Sequence, residues 1–190
     1  MKCNVILAGV GGQGVLSIAA IIAQAAVETG LEVRQSEVHG MAQRGGAVLA
    51  HLRLADNTIA SDLVPRGDAD IILSMEPVES LRYTSWLSPK GALVCAAEPF
   101  ENIPNYPDIE GILNTIKKFP LNKIVEAAAL AKQAGSARSV NMVMVGAASA
   151  FLPIAPETLE ETIKKAFINK GPAVLESNLK AFSLGRDAVK

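Results

Sequence analysis

Near the start of the chain, Ala8–Val15 reads AGVGGQGV. Gly9, Gly11 and Gly14 stand there at the G-x-G-x-x-G spacing of a dinucleotide-binding turn. An apolar run leads in and a long Ala/Ile-rich stretch follows. That context is a strand, a tight turn and a helix. Glycine permits positive φ and close approach of a ligand to the backbone. The helix start adds unpaired N–H groups and a partial positive charge. The chemistry offered by Gly11, Gly12, Gln13 and Gly14 is therefore phosphate binding. Spacing leaves open a nicotinamide or flavin site, a different phosphate, or a turn that binds nothing. The first needs a carboxylate after the second strand to hold a ribose hydroxyl, and Glu37 stands at about that position.

A second polar loop, HGMAQRGG, spans His39–Gly46. Gln43 and Arg44 lie between Gly40 and the Gly45-Gly46 pair. Arg44 is a planar multi-donor group suited to phosphate or carboxylate. The paired glycines allow backbone N–H groups to converge as an anion nest. In an open α/β sheet such loops gather at the carboxyl ends of the strands, so the two glycine loops are expected to face one crevice. His39 belongs to the loop and reads as a ligand or partner contact. His51 shares a strand face with Leu49 and Arg53, and its role stays open between structure and function. Arg53 reads equally as a solvated strand charge.

Other chemistries find no residues. The chain has neither a G-x-S-x-G elbow nor a P-loop G-K-[ST]. Cys3 and Cys95 are its two cysteines, no C-x-x-C occurs, and a cysteine-ligated iron–sulfur cluster is excluded within this chain. Both read as small core residues on strands. Only His39 and His51 could join them around zinc, which disfavours a metal site. No complete catalytic constellation can be assembled.

The elements that must position the loops alternate. Cys3–Ala8 reads as a buried strand, Val15–Thr29 as a helix stopped at Gly30, and Glu32–Val38 and Ala47–Leu54 as strands. Ile59–Ser61 is expected to pair back as a hairpin arm. Asp70–Met75 is a buried strand, Leu81–Trp86 a helix, and KGALVCAAEP a turn followed by another strand. The proline-bearing stretch 98–111 is expected to be irregular, and Thr115–Phe119 a short edge strand. From Leu121 the pattern turns helical: one helix to Gly135, a second over SVNMVMVGAASAFL, a third from Pro156 to Ile168, and a last one from Gly171-Pro172 with Val174, Leu175, Leu179 and Phe182 on its apolar side. Small residues in the Ala-rich helices from Ala127 to Ala150 suit close packing within or between subunits. This order predicts a three-layer α/β/α domain with a mostly parallel mixed sheet, a Rossmann-like glycine loop and a helical C-terminal third.

Composition narrows the partners. The 190 residues suit one domain able to bury roughly 70% of its unfolded surface. Net charge is −1 and aromatics are 4%, so nucleic acid finds neither a basic field nor stacking platforms. Apolar stretches fall short of the roughly 20 residues a spanning helix needs, and no secretory signal is seen. A cytoplasmic, reducing location is expected.

Three motifs in order, GVGGQG, EVHGMAQRGGAV and GDADIILSMEPVESLR, resemble the gamma subunit or gamma domain of 2-oxoacid:ferredoxin oxidoreductases, and most closely the small-subunit type of the indolepyruvate-oxidising enzymes. The likeness spans residues 1–190 as one gamma-type domain and is most specific over Gly9–Arg82. It implies a subunit of a complex that cleaves a 2-oxoacid oxidatively with coenzyme A and reduces ferredoxin. It places thiamine diphosphate and iron–sulfur clusters on partner subunits, and coenzyme A recruitment and subunit contacts on this chain. Carried onto this sequence, the motif residues are Gly11, Gly12, Gln13 and Gly14, then His39, Gly40, Met41, Gln43, Arg44, Gly45 and Gly46. Glu76, Glu79 and Arg82 read as a helix-start charge and an i,i+3 pair. A dimer of heteromers is the expected assembly.

Overall fold

Strand β1 (Lys2–Val10) runs through the middle of the sheet, buried from Cys3 onward in the computed structural model, which describes residues 1–39, 45–101 and 103–190, His39 by its backbone alone. Helix α1 (Val15–Glu28) follows and turns its buried Ile18, Ala19, Ile22 and Ala26 to the sheet. Gly30 ends it: the Gly30 N–H returns to the Val27 carbonyl and the Leu31 N–H to that of Ala26. Next come β2 (Glu32–His39), β3 (Ala47–Ala55), β4 (Ala69–Ser74), α2 (Pro77–Arg82) and β5 (Leu87–Ala96). Then follow α3 (Ile109–Ile116), β6 (Asn122–Val125), α4 (Ala127–Gln133), α5 (Val140–Ala148), α6 (Pro156–Phe167) and α7 (Pro172–Asp187).

The six strands lie in the order β2-β3-β1-β4-β5-β6. β1, β4, β5 and β6 pair in parallel, whereas β3 is antiparallel to both β1 and β2. One face carries α1 and the C-terminal helices around Val5, Leu7, Leu73 and Val94. The other packs α2, α3 and the segment after β3 around Ile6, Ile72, Leu93 and Ile116. The domain is the expected three-layer α/β/α sandwich with a mixed sheet and a helical end.

Several local expectations are corrected. Ile59–Ser61 forms no strand, because β1 and β2 already occupy both edges of β3. Arg53 instead donates to the Ser61 and Leu63 carbonyls and to Asn4 Oδ1, so it is a tether rather than a solvated charge. The helix expected at Leu81–Trp86 is α2, which begins at Pro77. Glu76 caps it by accepting from the Glu79 N–H, and a 3-10 turn at Thr84–Trp86 follows. Lys90-Gly91 is no turn but lies within β5. Thr115–Phe119 is not an edge strand: Thr115 and Ile116 close α3, which Asp108 caps through the Gly111 N–H and which buries Ile112 and Ile116 four residues apart. The edge strand is β6, in the stretch read as helix, and α4 starts only at Ala127.

On α7 the buried side is Ser177, Asn178, Ala181, Phe182 and Gly185, while Val174 is 41% exposed. The small residues let the α7 backbone reach α5. A Cβ on Gly185 would overlap the Val143 carbonyl oxygen and lie 2.9 Å from Val143 Cα; one on Gly146 would overlap the Phe182 carbonyl oxygen and lie 2.9 Å from the Arg186 nitrogen. No helix among the described residues is long and apolar enough to cross a membrane.

Candidate functional site

The chain leaves β1 toward α1 on one face and leaves β4 toward α2 on the other. Ligands of open α/β sheets bind in the crevice at such a divide, outside the carboxyl ends of the strands. Here the glycine turn occupies it. Gly14 (φ 81°, ψ 25°) is the residue before α1, in left-handed geometry that favours glycine, and no side chain caps the helix start. Its carbonyl takes the Ser17 and Ile18 N–H groups.

Gln13 fixes the turn. Its Oε1 accepts from the Val10 N–H at 2.7 Å and its Nε2 donates to the Met75 carbonyl at 3.1 Å. The Met75 N–H in turn donates to Ala8 O at 2.9 Å. The Gln13 amide therefore joins the ends of β1 and β4.

The second loop reaches the same sheet end. His39 pairs with Val48, and Val48 with Gly9. The Gly11 N–H donates to Gly46 O at 2.8 Å and the Gly45 N–H to Gly11 O at 3.1 Å. The structure thus brings Gly11, Gly12, Gln13, Gly14, Gly45 and Gly46 together. The Gly45 amide, expected in an anion nest, and the Gly11 amide, expected at the phosphate-binding turn, instead extend the β1–β3 ladder. Gly40, Met41, Gln43 and Arg44 lie outside the described residues, as does the His39 side chain.

Beside the turn opens a cleft of about 480 Å³. Gly12–Gly14, Met75 and Glu98 line it together with Arg138 and Asn141, which stand before and at the start of α5. A Cβ on Gly14 would stand 3.4 Å from Asn141 Nδ2, so a side chain there would fill the cradle. Arg138 is exposed and has no ion-pair partner among the described residues. The Glu98 carboxylate accepts from the Ala128 N–H at 2.7 Å, at the start of α4. Sequence reasoning missed Arg138, Asn141 and Glu98. The available signal was GSARS (Gly135–Ser139), a polar turn entering an apolar helix as the first glycine turn does.

Other titratable groups are structural. His51 is buried, takes the Val64 N–H on Nδ1 at 3.1 Å and meets Trp86 edge-on at 6.1 Å; burial holds its pKa below the ordinary value. Glu76 also accepts from Tyr106 Oη, and Arg82 Nε donates to Glu79 Oε1 at 2.9 Å, as the i,i+3 reading expects. Burial raises the Glu79 carboxyl, whose Oε2 has no partner among the described residues. Cys3 and Cys95 are buried on opposite faces of the sheet. Burial pushes the Cys3 thiol up to about 12 and raises Cys95 as well. Such thiols do not fit a cluster site.

Comparison with known proteins places this geometry. Residues 4–188 match the family described as pyruvate ferredoxin/flavodoxin oxidoreductase. The chain belongs to this family. Among its members, the indolepyruvate oxidoreductase subunit IorB of Pyrococcus horikoshii is 36% identical over 98% of this chain and 96% of its own length. The IorB of Archaeoglobus fulgidus is 35% identical over 97% and 94%. A 2-oxoglutarate:ferredoxin oxidoreductase from Magnetococcus marinus, with 2-oxoglutarate, coenzyme A and succinyl-CoA bound, superposes with a TM-score of 0.78 at 26% identity. The match takes in 99% of this chain but 31% of that longer polypeptide. The gamma subunit of a keto/oxoacid ferredoxin oxidoreductase from Geobacter sulfurreducens shares the fold, with a TM-score of 0.71 at 23% identity over 98% of both chains. This family member is an IorB-like subunit of a 2-oxoacid:ferredoxin oxidoreductase, as its three motifs imply.

The family's fold also bears on the nicotinamide reading. β3 lies between β1 and β2, so Glu37 stands one strand, about 5 Å, further from the glycine turn than in a dinucleotide fold where β1 and β2 are neighbours.

Proposed function

We propose that this chain recruits coenzyme A for an oxidoreductase of indolepyruvate or a related 2-oxoacid, and docks onto the subunit that performs the chemistry. The observation that carries the reading is the uncapped start of α1 in a cleft lined also by Arg138 and Asn141, where the Glu98 carboxylate is engaged by the Ala128 N–H. A diphosphate seated there has helix N–H groups and a guanidinium among its candidate partners. Coenzyme A bound to the Magnetococcus marinus enzyme supports the choice of ligand. Gly12 and Gly14 leave room for the backbone to approach, and Gln13 holds the turn to β4. Gly45 and Gly46 stand at the same sheet end, and they, with His39, Gly40, Gln43 and Arg44 of the same sequence motif, are proposed as the remaining ligand and partner contacts.

On this reading, thiamine diphosphate and iron–sulfur clusters on the partner subunit supply decarboxylation and electron transfer to ferredoxin. This chain moves no electrons itself: it concentrates and orients the thiol carrier. The complex is a cytoplasmic dimer of heteromers.

The test compares the reconstituted complex carrying Gly14→Val or Arg44→Ala with wild type. The coenzyme A concentration at half-saturation should rise about tenfold or more, equivalent to about 1.4 kcal/mol of lost binding. Unchanged coenzyme A saturation in both variants refutes the assignment.

A further inference from the structure

Ala137, Arg138 and Asn141 line two cavities, one on each side. The first is the glycine cleft. The second is a groove of about 670 Å³ between the start of α5 and the corner joining α6 to α7, where Phe167, Lys170, Val174 and Asn178 complete the lining.

The groove's charge is one-sided. Arg138 and Lys170 both line it, and no carboxylate lines it among the described residues. Neither cation has an ion-pair partner among those residues. In a chain of net charge −1 this is a local reversal of sign. Two unpaired cations on one concavity repel each other, and a dianion held between them adds two attractions that outweigh that repulsion. The lining also carries apolar surface: Phe167 is half-buried and Val174 is 41% exposed. A flat ring can lie on such a surface while its phosphate faces the cations. Hydroxyl and amide groups of Ser136, Ser139 and Asn178 add polar lining.

We infer that this groove is a second phosphate subsite, selective for a nucleotide phosphomonoester, and that Arg138 bridges it to the cleft. The ligand would be elongated, with its diphosphate at the glycine turn and its terminal monoester between Arg138 and Lys170. This rests on the coenzyme A reading for the first of the two positions. Lys170 is the discriminating residue, because it lines the groove and not the cleft.

The probes are coenzyme A and 3′-dephospho-coenzyme A, titrated calorimetrically into the full chain at low and moderate salt. Wild type should bind coenzyme A about tenfold more tightly than the dephospho form, with the gap narrowing as salt screens the charges. Lys170→Gln should erase the gap and leave dephospho-coenzyme A binding unchanged, while Lys170→Arg should retain it. Lys170 is exposed, so these variants test the contact rather than the fold. Equal affinity of wild type for the two probes, or an intact gap in Lys170→Gln, overturns the inference. Gly14→Val separates the two readings. If it weakens both probes alike and keeps the gap, cleft and groove both stand. If it binds like wild type while Lys170→Gln loses the gap, the groove stands and the cleft reading falls. Binding of neither probe at millimolar concentration removes both.

Discussion

The contact between α5 and α7 gives a prediction that can be worked through. Gly146 and Gly185 bring the two backbones together, and α5 carries Asn141 against Gly14 while Arg138 precedes it. Gly185→Ala places a methyl in overlap with the Val143 carbonyl oxygen, 2.7 Å from the carbonyl carbon and 2.9 Å from Cα. All three obstacles are backbone atoms, so no side-chain rotamer relieves them and the helices must separate by about 1 Å. Overpacking of this kind costs about 3 kcal/mol, the upper end of the usual range. Alanine returns about 1 kcal/mol of helix propensity. The net loss is about 2 kcal/mol, or roughly 4–8 °C in Tm for a domain of this size. Urea denaturation of the purified chain measures it. Gly146→Ala should cost a similar amount, and the double variant less than the sum, because one separation relieves both overlaps. A Gly185→Ala chain as stable as wild type, or more stable, would refute the backbone contact, since propensity alone would then decide the sign.

Two further outcomes follow from buried groups. Because His51 accepts a hydrogen bond on Nδ1 and its pKa is lowered by burial, the unfolded chain binds more protons than the folded one below the ordinary imidazole range. Stability should therefore be full above about pH 6.5 and decline as pH falls below it. His51→Gln should remove that component, and a wild-type decline that persists unchanged in the variant would contradict the assignment. Cys3 and Cys95 should resist a thiol-specific reagent at neutral pH in the folded chain and react fully after denaturation. Rapid reaction of either thiol in the native protein would contradict their burial.

The strand, turn and helix around the first glycine loop were legible because their signal is local. An apolar run into closely spaced glycines and out into an Ala/Ile stretch requires a strand, a turn and a helix whatever surrounds them, and β1 and α1 follow it within a few residues. The burial of α5 was legible for the same reason, since Val140–Ala148 has no polar stripe to expose. The three motifs carried the family by residue identity alone.

What the sequence could not decide depended on neighbours distant along the chain. β6 is four residues long and exists because β5 offers it an edge, which no local propensity records. Ile59–Ser61 has suitable residues for a strand, but β1 and β2 take both edges of the β3 it would pair back on. Glu37 falls at the spacing of a ribose ligand, yet an inserted antiparallel strand moves it outward. Arg138 and Asn141 stand more than 120 residues from Gly14 and are brought to it by the packing of α5 on α1, β5 and α7. Local pattern fixes which backbone conformations are cheap, but the partner that satisfies each edge, face or charge is chosen by the packing of the whole chain.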